Sequence, residues 1–129
     1  MTKLALEPFT ADTLRIEPVD IPEGGVELRF TGNIDMRDPS SVLSPYYEQV
    51  HTEATSNNAP EVRLDLRNLT YLNSSGILTL VKWIKRLQDT PADQRYKFHI
   101  IYSNDITWQR ISILTISKMA GDVVQVSKA

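Results

Sequence analysis

The stretch YLNSSGI, residues 71–77, sets two adjacent hydroxyls, Ser74 and Ser75, between an alternating apolar run and a segment with helical periodicity. Serine at such a junction can do three kinds of chemistry. It can cap the helix by accepting first-turn N–H bonds. It can attack a carbonyl if an imidazole takes its proton. It can also accept a phosphoryl group, whose added charge of about −1.5 to −2 is favoured by free amides and the positive end of the helix dipole. Asn73 is a second cap candidate.

The nucleophile reading has little local support. Leu72, Asn73, Ser74, Ser75 and Gly76 lack the leading glycine of a G-x-S-x-G elbow. The base would have to be His51 or His99, and neither stands in a motif. With two separated histidines and no cysteine, thiolate metal sites, disulfides and cysteine nucleophiles are excluded and a histidine metal site is disfavoured. Gly24-Gly25 falls in a turn between strands rather than before a helix, so no phosphate-binding loop is read there. The sequence implies no cofactor.

The elements that must hold the serines follow from periodicity. Residues 13–19 and 26–30 read as an opening hairpin, the second strand alternating Val26, Leu28 and Phe30 with Glu27 and Arg29. Leu43, Tyr46, Tyr47 and Val50 keep the i, i+3, i+4, i+7 spacing of a helix whose start lies at Asp38-Pro39 or at Ser44-Pro45. A strand follows on Val62, Leu64 and Leu66. After the serines, Ile77, Leu80, Val81, Ile84 and Leu87 form the clearest helical stripe. A strand over residues 97–102, a helix over 108–119 and a short last strand around Val123, Val124 and Val126 complete the pass. Alternating strands and helices predict an α/β domain, a mixed sheet of four to five strands with three helices.

The 129 residues fit one domain, with residues 1–12 as an N-terminal extension and 13–129 as the folded unit. A net charge of −2 argues against nucleic acid or anionic lipid as partners. With a mean hydropathy of −0.26, no membrane-spanning run and no signal peptide, the expected compartment is the cytoplasm.

LDLRNLTYLNSSGI, residues 64–77, resembles the signature of STAS domains, the family of sulfate transporter domains and bacterial anti-sigma factor antagonists. FTGNID, residues 30–35, is similar to that family's glycine-acid-apolar-aspartate turn, with Asn33 in place of the acid and Asp35 kept. The tail ITWQRISILTISKMAGDVVQV resembles its last helix, glycine and terminal strand, so the likeness spans roughly residues 13–126. The resemblance implies a STAS-like domain, residues 13–129, that is a substrate and not an enzyme. Ser74 matches the family's phosphorylated serine, in a loop with Asn73, Ser75 and Gly76. Asn73 replaces the usual aspartate. Implied partners are a cognate serine kinase of the anti-sigma factor type, a phosphatase and a downstream regulator. Asp35 and the helix face with Lys82, Lys85 and Arg86 are the expected partner contacts, the alternative for that face being a solvated helix flank with Trp83 completing the core. An unmodified STAS docking scaffold is the alternative, and a serine hydrolase at Ser74 or Ser75 a remote one.

Overall fold

The computed structural model describes residues 4–128. Six strands form one mixed sheet in chain order: β1 (Phe9–Ala11), β2 (Leu14–Asp20), β3 (Val26–Ile34), β4 (Glu61–Leu72), β5 (Lys97–Tyr102) and β6 (Val124–Lys128). The first three run antiparallel, and β3 to β6 are parallel. Parallel neighbours need crossovers, supplied by α1 (Pro39–Ser56), α2 (Ser74–Gln88) and α3 (Thr107–Met119). Right-handed crossovers repeated in one direction stack all three helices on one face.

The α/β class, the three helices and the opening hairpin are as the sequence predicts. The strand number is corrected from four or five to six. The added strand, β1, pairs Phe9 with Ile16 inside the segment read as an extension, and Leu4 and Leu6 of that segment are buried in the core. The first helix starts at Pro39, after Asp38, and passes through Pro45. Proline there withholds an amide from the Ser41 carbonyl, but both residues are exposed, where water can replace the missing bond.

β4 is longer than its alternation shows. Against β3 it pairs Asp65 with Arg29, Asn68 with Thr31 and Tyr71 with Asn33, so two irregularities insert two extra residues into β4. Each insertion turns the side chains over, and the second restores the original facing. Leu66, Leu69 and Leu72 are therefore all buried although three apart. The carbonyls freed by this distortion find a partner in α3. Gln109 is completely buried, and its Nε2 donates to the Leu66 and Leu69 carbonyls at 2.5 and 2.7 Å. Its Oε1 accepts from the Ser103 amide at 2.8 Å.

A polar cluster joins α1, α2 and the segment before β5. Tyr96 OH accepts from Trp83 Nε1 at 2.7 Å and faces His51 Nδ1 at 2.8 Å, while His51 Nε2 lies 3.4 Å from Thr90 Oγ1. Thr90 Oγ1 gives its proton to the Arg86 carbonyl and so accepts from His51 Nε2; in the neutral ring that burial favours, Nδ1 is then the acceptor of the Tyr96 proton. Burial, then the Arg86 charge, holds the His51 pKa below its ordinary value.

The unfolded chain therefore binds a proton at His51 that the native state refuses. Stability is at its full value above about pH 6.5, the unfolded value, and falls with pH below it by up to about 1.4 kcal/mol per unit until the native value is passed. Urea unfolding between pH 7.5 and 5.5 should show this slope, and His51→Gln should flatten it. Gln109→Leu, which leaves two buried carbonyls and a part-buried amide without their partner, should lower stability by about 3 kcal/mol in the same assay.

Candidate functional site: the loop between β4 and α2

Parallel pairing brings the ends of β3 and β4 side by side, with Ile34 opposite Leu72. The loops that follow them are then joined through Asn73. Its backbone amide donates to the Ile34 carbonyl at 3.0 Å. Its side chain works in both directions: Oδ1 accepts from the Gly76 amide at 2.8 Å, and Nδ2 donates to the Met36 carbonyl at 3.0 Å. Asn73 is thus the N-cap of α2 and also the tether of the loop carrying Asp35. The family's aspartate could make the first bond but has no proton for the second.

Gly76 is required by close packing. A methyl group there would run into Leu72 Cδ1 and stand 2.9 Å from Ile34 Cγ2. Ser74 and Ser75 are exposed, and neither hydroxyl has a hydrogen-bond partner among the described residues. Their amides precede the first helical bond, from the Ile77 amide to the Asn73 carbonyl. Two N–H groups at the positive end of a 15-residue helix therefore stay free beside the Ser74 hydroxyl.

The structure brings Asp35, Asn73, Ser74, Ser75 and Gly76 together. Asp35 is exposed between the two carbonyls that Asn73 engages. Lys82 and Lys85 are exposed on α2, about 12 and 16 Å along the axis from Ser74 at 1.5 Å per residue. Both distances exceed the roughly 8 Å screening length of physiological salt, so these cations do not neutralise a charge at Ser74. Arg86 is taken up by Glu48 of α1, at 3.0 Å, in an exposed pair worth about 1 kcal/mol or less. Trp83, Tyr46 and Tyr47 are core residues.

Periodicity missed two side chains here. Leu78 is 51% exposed and Tyr71 49%, flanking the serines. Ser74, Leu78, Lys82 and Lys85 follow at spacings of four, four and three, which makes one outward stripe of α2. The signal was in the sequence, since Leu78 falls off the buried stripe.

Neither imidazole serves the loop serines. His51 is engaged with Tyr96 and Thr90 in the core. His99 is bonded to Glu61 and Ser127 across the sheet. Among the described residues no three His, Asp or Glu side chains converge as a metal site.

Removing the Asn73 amide should expose its double role. Asn73→Ala loses the cap and the tether, about 2 kcal/mol together, whereas Asn73→Asp keeps the cap and loses only the tether, about 1 kcal/mol. Denaturant unfolding should rank the unchanged protein as the most stable, the Asn73→Asp variant next and the Asn73→Ala variant last.

No protein-family model matches the sequence, and no curated protein matches it. The architecture does have a match. The crystal structure of an anti-sigma factor antagonist from Mycobacterium paratuberculosis aligns with 85% of this chain and 85% of its own, at 20% identity and a TM-score of 0.57. The likeness read from two short motifs thus extends to the arrangement of strands and helices: the chain has the STAS-like fold of an anti-sigma factor antagonist.

Proposed function

We propose that this chain is a phosphorylation-controlled protein-binding switch of the partner-switching kind, with Ser74 as the phosphoryl acceptor. A serine kinase of the anti-sigma factor type modifies it and a phosphatase restores it, in the cytoplasm, and the chain is their substrate rather than an enzyme. The observation that carries this reading is the state of Ser74. Its hydroxyl is exposed and, among the described residues, unbonded at the N-terminus of α2, while the neighbouring Asn73 already does the capping. The fold, that of an anti-sigma factor antagonist, supports the same reading. No helix among the described residues is long and apolar enough to cross a membrane.

In this reading the unmodified face that includes Asp35, Leu78, Lys82 and Lys85 receives the kinase or a downstream regulator, with Arg86 at its far end. Phosphorylation puts a dianion on a loop flanked in sequence by Tyr71 and Leu78, two exposed side chains that a partner would cover. The charge then has to be desolvated for the complex to form, and it stands on the Asp35 side of the loop, more than a screening length from Lys82 and Lys85. A loss of about 3 kcal/mol already weakens a complex more than a hundredfold.

Asn73 favours a second reading, an unmodified docking scaffold. A kinase that needs the family's carboxylate beside the acceptor finds an amide occupied by Gly76 and Met36.

The two readings separate on Ser74 variants. With kinase and ATP, the unchanged protein should take up one phosphate on Ser74, mapped by mass spectrometry, and Ser74→Ala should take up none while still binding its partner. Ser74→Asp should weaken that binding at least about tenfold in a titration, or 1.4 kcal/mol. Labelling of Ser74→Ala to the level of the unchanged protein would move the acceptor elsewhere, and equal affinity of the Asp and Ala variants would favour the scaffold.

A further inference from the structure

The open face of the sheet, away from the helices, carries a line of hydrogen bonds that the loop site does not use. Glu27 on β3 accepts from Arg29 at 2.7 Å and from Arg63 on β4 at 3.2 Å. Arg63 also donates to Glu61 Oε2, at 2.9 Å. The same Glu61 oxygen lies 3.1 Å from His99 Nδ1 on β5, and His99 Nε2 lies 2.7 Å from Ser127 Oγ on β6. The last three residues have the connectivity of a nucleophile, its base and the group that orients the base.

We propose that Ser127 is an activated nucleophile, with His99 as its general base and Glu61 as the positioning residue, and that it is a site of covalent acylation by small activated esters. A carboxylate only accepts hydrogen bonds, so Glu61 fixes the His99 proton on Nδ1. Nε2 then holds a lone pair, and the 2.7 Å bond runs from the Ser127 hydroxyl to the ring. Burial alone would raise the Glu61 pKa, but hydrogen bonds from Arg63 and His99 and the nearby Lys97 outweigh it and keep the group ionised. Arg63 shares the Glu61 charge and is itself balanced by Glu27.

The strand register supplies the alignment. His99 lies opposite Gln125 and Ile101 opposite Ser127, so the serine stands diagonally from the imidazole on the same face. Ser127 is on the edge strand and part-exposed, while the imidazole is 14% exposed and Glu61 15%. A flat sheet face offers a substrate little binding energy, so the leaving group must be good. That selects aryl esters and similar electrophiles over amides. In the step, the Ser127 Oγ–C bond forms and the ester C–O bond breaks. The Oγ proton passes to His99 Nε2 and on to the departing phenolate, and no redox change is involved.

The test compares two serines of one chain. The full protein is treated with p-nitrophenyl acetate, and acetylation at Ser127 and at Ser74, exposed and without an imidazole, is followed by peptide mass spectrometry. Ser127 should react at least about tenfold faster. His99→Gln should remove about a hundredfold of its rate, and His99→Ala should regain part of it with free imidazole. Glu61→Gln should slow the reaction and, in 15N spectra of the ring, mix the two tautomers that Glu61 separates. Ser127 reacting no faster than Ser74 in the unchanged protein would overturn the proposal even if the His99 variants fail to fold. So would a folded His99→Gln that reacts at the original rate.

Discussion

The parallel pairing of β3 with β4 is the constraint on which the rest depends. Two adjacent parallel strands end at the same edge, and here Ile34 and Leu72 end them opposite each other. Sites in open α/β sheets lie at that edge because the loops leaving it converge. In this chain convergence is made specific by Asn73, which reaches across 37 residues of sequence to Met36. The pairing also has a structural consequence elsewhere. β4 fits β3 only by taking up two extra residues, and the carbonyls so displaced are held by Gln109 from the far end of the chain. The last helix thus supports the loop edge without touching the serines.

A division of labour follows at the helix start. One side chain usually both caps a helix and presents chemistry, and the two tasks conflict, since a hydroxyl bonded to a backbone amide is not free to react. Here Asn73 takes the cap, Gly76 gives the backbone room, and Ser74 and Ser75 are left in water. A charge added at Ser74 therefore breaks no internal bond. Its cost falls on whatever covers Tyr71 and Leu78, and its local reward is the two unpaired amides of the first turn. The fold can remain as it is while the surface changes sign.

How much of this was legible depended on whether the signal was local. The buried stripe of α2 and the alternation of Val62, Leu64 and Leu66 are periodic, and both held. Beyond Leu66 the period of two fails because two insertions turn the strand over, so the alternation of Val62, Leu64 and Leu66 does not extend to Leu69 and Leu72 although they are buried strand residues. β1 is three residues long and Leu4 and Leu6 precede it without a pattern, which is why that segment read as an extension. The serines were legible as a junction. That Asn73 is a tether, that Arg86 is held by Glu48 and that His99 bonds Ser127 were not, because each depends on partners 28 to 38 residues away.

The two faces of the sheet solve different problems. Towards the helices the strands from β2 to β6 bury aliphatic side chains, and the single polar exception of α3, Gln109, is fully bonded. On the open face, a row of aliphatic residues would have been an invitation to associate. The chain instead places arginine, glutamate, histidine and serine across four parallel strands, where Arg29–Glu27 and Arg63–Glu61 pair along a strand and Arg63–Glu27 and His99–Glu61 link neighbouring ones. The ladder keeps Glu27 and Asp65 satisfied although both are buried, Asp65 through a two-pronged bond with Arg67 at 2.9 and 2.7 Å. Such pairing is ordinary while arginine faces glutamate. At its end the pattern runs out of cations and continues with an imidazole and a hydroxyl, and there the same geometry that satisfies polar groups acquires a transferable proton.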